Sequence, residues 1–362
     1  MRHVDEYRDQ ALIEPLIAEL HRSVQKPVRL MEVCGTHTMA IFRSGIRSIL
    51  PAGMEIVSGP GCPVCVTSAA HMDAFIDLAD RDAVRLAIFG DLFRVPGSRG
   101  SLAHASSRGA KIDVVYSSMD ALDIARNHPD DLVVFLGVGF ETTTPGIAAT
   151  ILAAHRQRID NFCVFSTHKV IPGPLDVLMQ DPELRINGLL CPGHVSAIIG
   201  AGAYQPFVDR YRLACVVAGF EPADLLNGLI RLARQIAQDR PAVDNIYTRV
   251  VSWEGNRRAR ELVDTVFEPA DMEWRGLGPI PGSGLKIKQA YHHYDAEQRL
   301  EIVIPDVPEA KGCICGQILK GQTTPPRCPL FGKRCTPAHP IGPCMVSSEG
   351  TCAAFFKYGA DT

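Results

Sequence analysis

The 362-residue chain has almost no charge imbalance, with 37 Lys and Arg against 40 Asp and Glu and a formal net charge of −3. It offers no basic footprint, which argues against nucleic acid or an acidic membrane surface as a partner. No unbroken apolar segment approaches the ~20 residues of a membrane helix, and the amino terminus carries acids without a signal-type apolar core. A cytoplasmic protein is therefore the expectation. The Gly-x-Gly-x-x-Gly fingerprint and the Walker lysine are both missing, so nucleotide binding has little to rest on. Disorder is excluded in turn, since 46% hydrophobic and 21% charged residues are ordinary globular proportions.

Cysteine, by contrast, is plentiful: there are twelve. In a reducing compartment that number points to metal, cluster or redox use rather than to a disulfide framework. Two stretches stand out, Cys34-Gly35-Thr36-His37 and Gly59-Pro60-Gly61-Cys62-Pro63-Val64-Cys65-Val66. Each follows a short apolar run, Arg29 to Val33 and Met54 to Val57. That pattern sets both thiol groups just past the carboxyl ends of neighbouring parallel strands, where open α/β sheets place ligands. A Cys-x-x-Cys pair can close a disulfide, hold a metal or offer one activated thiolate. A structural zinc site would need two further ligands, for which Cys34 and His37 are the candidates.

The rest of the chain reads as α/β. Strands are expected near 29–33, 54–57, 84–89 and 112–116, and the same alternation with helices restarts at Asp131 with strands near 132–136, 162–165, 188–190 and 213–217. The expectation is two similar parallel-sheet α/β domains, residues 28–130 and 131–240, facing a central cleft. Asp5 to Gln25 reads as two short amphipathic helices with Pro15 acceptable only as a helix start. Arg240-Pro241 looks like a boundary, Gly255 to Phe267 one helix, and Gly276 to Gly284 a Gly/Pro-rich loop.

In the last fifty residues Cys313, Cys315, Cys328, Cys335, Cys344 and Cys352 crowd among prolines. A metal centre would supply the constraint such a segment lacks, and thiolate-only ligation suits zinc or an iron–sulfur cluster equally. Smaller signals lie at other strand ends. Glu141 in Gly139-Phe140-Glu141-Thr142-Thr143 is a candidate general base or a helix-capping carboxylate. His194, in Pro192-Gly193-His194-Val195-Ser196, and His168 are candidate ligands or proton carriers, or hydrogen-bonded structural residues. Gly90-Asp91 and Arg94 form another strand-end loop, while Cys163 and Cys215 fall within apolar strands and read as core.

Taken in order, the two cysteine stretches, the Glu141 and His194 motifs and the tail through Met345-Val346-Ser347-Ser348-Glu349-Gly350 resemble the HypD family of hydrogenase maturation factors over essentially the whole chain. The resemblance implies a scaffold on which the iron of [NiFe]-hydrogenase receives two cyanides and one carbonyl, working with a HypC-type partner and a HypE-type cyanide donor. It implies that residues 1–27 pack with a C-terminal domain, 241–362, carrying a [4Fe-4S] cluster. Ligands map onto Cys328, Cys335, Cys352 and either Cys313 or Cys315, leaving Cys344 out. Cys34 is implied to be an iron-binding or redox thiol, with His37 beside it as a proton donor, and Cys62 and Cys65 a thiol/disulfide pair. Such a chain is an assembly scaffold more than a turnover enzyme. The rival readings are an iron–sulfur thiol-disulfide reductase and a zinc-stabilised binding module.

Overall fold

The apolar runs become strands buried on both faces, as all-parallel sheets require. The computed structural model describes residues 5–359; positions 1–4 and 360–362 of the expected terminal segments lie outside them. Helix α1 (Gln10–Ser23), strand β1 (Val28–Glu32), α2 (Gly35–Arg43) and β2 (Met54–Ser58) come first. They are followed by α3 (Ala69–Ala79), β3 (Val84–Ile88), α4 (Leu102–Ser107), β4 (Lys111–Val114), α5 (Asp120–Asn127), β5 (Leu132–Gly137), α6 (Thr144–Gln157) and β6 (Phe162–Ser166). Next are α7 (Pro172–Met179), β7 (Gly188–Cys191), α8 (Gly193–Ile199), α9 (Gln205–Tyr211), β8 (Ala214–Val217), α10 (Pro222–Ala237) and β9 (Val243–Asn245). The remainder holds α11 (Arg257–Val266), an antiparallel hairpin of β10 (Phe267–Trp274) and β11 (Gly278–Ile287), and the short helices α12 (Ala296–Arg299), α13 (Cys315–Leu319) and α14 (Thr351–Tyr358).

The strands form two parallel sheets, ordered β2-β1-β7-β8-β9 and β4-β3-β5-β6. Two parallel-sheet α/β units are therefore present, but the strands are not shared out at residue 130. The chain lays down β1 and β2, leaves to build the whole second sheet, and returns to pair β7 with β1 (Leu30 opposite Gly188). The first unit is discontinuous in sequence, and local α/β alternation reads the same whether the chain stays or leaves.

Both sheets face one interior. Met31, Val57, Leu189 and Val217 from the first sheet share a core with Leu86, Val134, Leu136 and Phe165 from the second, and Phe75 on α3 meets Phe165 edge-to-face at 5.2 Å. The outer face of the first sheet is covered by α1 and α10, that of the second by α5, α6 and the hairpin. Helix α1 thus packs on α10, where the resemblance had implied the C-terminal segment.

Three local expectations change. Helix α1 runs straight through Pro15, because docking Ile13, Leu16, Ile17 and Leu20 against the outer core outweighs the missing amide donor. The Arg240-Pro241 boundary does not end the sheet, since β9 pairs with β8 just beyond it. The Gly276 to Gly284 stretch enters β11, whose Leu285 and Ile287 join the second sheet's outer core, so the hairpin is part of that unit. Among the described residues no helix is long and apolar enough to cross a membrane.

Pro15 is exposed in the interior of α1. Pro15→Ala restores a helical amide, and we expect it to stabilise the fold by about 1–3 kcal/mol, read as a higher urea midpoint at unchanged slope.

Candidate functional site

Because β1 and β2 are neighbours in register, with Glu32 opposite Ser58, the turns that follow them meet. A Cβ on Gly61 would overlap the backbone of Val33 and Cys34, and Gly35 N–H donates to the Gly61 carbonyl at 2.9 Å. Glycine here is a packing requirement. Cys34 caps α2, while Cys62 and Cys65 are joined by a disulfide with their Cα atoms 5.2 Å apart. The Cys65 N–H points to Cys62 Sγ at 3.1 Å. All three sulfurs' residues are buried, at 6%, 4% and 0% exposure, so the turns are covered.

The cover is the segment after the last prolines. Glu349 lies against Gly35 and accepts a hydrogen bond from Thr36 Oγ1, Ser347 Oγ is 3.4 Å from Cys62 Sγ, and Ser348 Oγ donates to Asp91 Oδ2 at 2.8 Å. Residues 347–349 therefore span from α2 of the first sheet to the loop after β3 of the second. Phe355 on α14 holds this segment down against Phe42 on α2, with ring centroids 4.6 Å apart.

Burial sets the charge states. The Cys34 thiol is pushed up to about 12, first by burial and then by the negative Glu349, against the pull of the His37 and Thr36 backbone N–H groups. Glu32, at the end of β1, accepts from Cys34 N–H at 3.2 Å and from Thr38 Oγ1, and burial lifts its carboxyl to about 7. His37 is fully buried and held down at about 4. Its Nε2 faces the carbonyls of Gly219 and Ala218 at 3.0 and 3.3 Å, so that nitrogen carries the proton and Nδ1, which has no partner among the described residues, is left as an acceptor. The expected proton donor is thus a neutral base.

Glu32, Glu349 and Arg275 were missed by the sequence reading. Glu32 had a signal, a lone carboxylate in a buried strand two residues before the thiol. Arg275 had none: it is 4% exposed, donates from Nε to the Thr67 carbonyl at 2.8 Å and from its backbone to Val66 at 2.9 Å, and ion-pairs with Glu309. It clamps the loop behind Cys65 with a buried guanidinium.

Other candidates fall in different places. His194 stands on the exposed rim with its ring 4.1 Å from Phe220, which in turn packs on His37 at 4.7 Å. His168 is fully buried beside Phe267, bonded through Nδ1 to Ser166 Oγ at 2.9 Å and held down at about 3 by burial, a structural role. Cys163 and Cys215 are core residues, as expected. Glu141 accepts the Ile171 N–H at 2.9 Å, and its carboxyl lies on a separate cavity beside α11 rather than with Cys34.

The six tail cysteines converge. Cys313, Cys315, Cys328, Cys335, Cys344 and Cys352 line one void of about 20 Å³, whose remaining walls are Ile318, Leu330, Phe331, Gly342 and Met345. No three His, Cys, Asp or Glu side chains among the described residues are gathered closely enough to hold a metal ion as they stand. The donor set is nonetheless thiols alone, without carboxylate or imidazole, which is the chemistry an iron–sulfur cluster takes. Cys344, set aside on sequence grounds, sits between Cys315 and Cys352 and is pulled below the ordinary thiol range by hydrogen bonds from both.

A protein-family model named HypD, described as the hydrogenase formation hypA family, matches residues 11–359. Over 371 residues the chain is 46% identical to the hydrogenase maturation factor HypD of Rhodobacter capsulatus, covering 99% of this chain and 98% of the relative. It is 44% identical to HypD of Azotobacter vinelandii over 99% of this chain and 97% of the relative. For HypD of Escherichia coli K12 the figures are 42%, 99% and 98%.

Glu349 raises the Cys34 thiol, so Glu349→Gln should lower it and enlarge the thiolate fraction at every pH below about 12. Iodoacetamide labelling of Cys34, followed by mass spectrometry from pH 7 to 10, should be severalfold faster in the variant; an unchanged rate would show that the charge does not govern this thiol.

Proposed function

The chain belongs to the HypD family of hydrogenase maturation factors, and from that premise we propose that it is the scaffold on which an iron cargo acquires two cyanides and one carbonyl at Cys34. The observation that carries this reading is the meeting of the Cys34 thiol and the Cys62–Cys65 disulfide at adjacent strand ends under the 347–349 segment. Low-spin iron with strong π-acceptor ligands is soft and favours thiolate sulfur. Cys34 is protonated at rest and must lose its proton to bind iron. Glu32, two residues away and poised near 7, is the acceptor within the site. A HypC-type partner docked at the cleft, displacing the Glu349–Thr36 contact, would open the thiol and complete the ligand set with a sulfur of its own; a HypE-type protein would deliver cyanide.

The tail cysteines would hold a [4Fe-4S] cluster through Cys328, Cys335, Cys352 and one of Cys313 or Cys315, with Cys344 now an equal candidate by position. When bound there, such a cluster supplies one-electron transfer. Opening the Cys62–Cys65 disulfide takes two electrons and two protons, and it lies beneath Ser347 on the tail that carries those thiols. The same burial counts against a general thiol-disulfide reductase, whose protein substrate would have to reach Cys62 at 4% exposure.

Infrared spectroscopy of the complex with the small partner tests the reading. Cys34→Ala should abolish the cyanide and carbonyl bands while leaving iron and acid-labile sulfide in the tail unchanged. Bands at native intensity in that variant would move the iron to another residue. Independently, Cys335→Ser should strip the acid-labile sulfide; stoichiometric zinc without sulfide in the native protein would replace the cluster with a structural metal.

A further inference from the structure

Away from the thiols, the second sheet's β5 ends at a cavity of about 450 Å³ lined by Glu141, α6, the end of α8 and α11. Its walls are apolar, from Val170, Ile198, Ile199, Val263 and Leu285. Into this lining comes one buried carboxyl. Glu141 is 8% exposed, its Oε1 accepts the Ile171 N–H, and its Oε2 has no partner among the described residues. A buried, unpaired carboxyl oxygen is costly unless something else satisfies it.

The rim of the cavity is just as specific. Helix α11 sets Arg257, Arg260, Glu261 and Asp264 there. Arg257 is spent on Glu261, at 2.6 Å. Arg260 and Asp264, one helical turn apart, make no side-chain ion pair or hydrogen bond among the described residues, with each other or with a third group. The cavity therefore presents a free cation and a free anion side by side at its mouth, an apolar shaft, and one hydrogen-bonding carboxyl at its inner wall.

We propose that this cavity binds a free α-amino acid with a neutral hydrogen-bonding side chain. Arg260 takes its carboxylate, Asp264 its ammonium, the apolar walls its methylenes, and Glu141 Oε2 the amide or hydroxyl at its end. A zwitterion matches the adjacent unpaired charges, where a simple acid or amine would leave one of them opposed. A neutral head that both donates and accepts suits Glu141 in either protonation state, which matters because burial lifts that carboxyl to about 7. Helix α8 connects this cavity to the thiol site. Its first turn carries His194 against Phe220 and so His37, and its last carries Ile198 and Ile199 into the cavity wall.

The test uses L-glutamine as probe and L-norleucine, similar in reach but without the amide, as control. A hydrophobic carbodiimide at pH 6 should label Glu141 through the cavity, read by peptide mass spectrometry, and L-glutamine should protect it saturably. Arg260→Gln, at an exposed position, should weaken protection by both amino acids about tenfold, the worth of one charged hydrogen bond. Glu141→Leu should reduce L-glutamine to the level of L-norleucine in a direct calorimetric titration. Protection that survives Arg260→Gln unchanged, equal responses to the two amino acids in the native protein, or no labelling of Glu141 would each overturn the assignment. None of these readouts involves the iron cargo, so failure here leaves the scaffold reading untouched.

Discussion

The contact on which the site depends is between two backbones. Where β1 and β2 end, Gly61 lies so close to Val33 and Cys34 that no side chain fits, and the Gly35 amide closes the junction on the Gly61 carbonyl. Parallel pairing alone would leave the two turns side by side at strand spacing. The absence of a Cβ lets them touch, which brings a single thiol and a dithiol to one place without any long side chain reaching across. Everything laid over them, from Ser347 to Glu349, is positioned by that floor.

The chemistry of the floor is that of groups shifted by burial toward their uncharged forms. Burial pushes the thiol up to about 12, holds the imidazole down at about 4 and lifts the carboxyl to about 7, each in the direction that low dielectric imposes. At neutral pH neither the thiol nor the imidazole carries charge. Soft-metal binding requires the opposite at sulfur, so under the proposed scaffold role the thiolate would form only once the cover shifts. Thr36, Ser347 and Ser348 fasten that cover through hydroxyl groups. Hydroxyl hydrogen bonds are exchanged for others at small net cost.

Much of this was legible beforehand, for physical reasons. Strand positions followed from apolar runs, because a strand buried on both faces tolerates little else; Leu132 to Gly137 and Phe162 to Ser166 fall where they were expected. The thiol motifs were legible because Cys-x-x-Cys among glycines has few other uses. Connectivity was not. The decision to leave the first sheet is taken in the segment carrying Cys62 and Cys65, and no local pattern distinguishes a chain that turns back from one that crosses over. The hairpin was hidden because Pro279, Pro281 and three glycines in β11 read as loop, yet a two-stranded hairpin leaves one side of each strand free of the ladder. Arg275 was invisible because its partners, the Thr67 and Val66 carbonyls and the Glu309 carboxylate, are all distant in sequence. Glu141 was found for its strand-end position and then proved to face a different cavity.

The interrupted first sheet also has a meaning for biosynthesis. Strands β1 and β2 leave the ribosome first, but β1 is a central strand whose other edge is reserved for β7. The second sheet, contiguous from β3 to β6, can pair its strands as soon as they are made, although the hairpin that covers its outer face comes later. Until β7 emerges, β1, whose end leads into Cys34, shows a bare row of amides and carbonyls on one edge. The nascent chain is thus most open to wrong strand pairing while the strand leading into Cys34 waits for its neighbour.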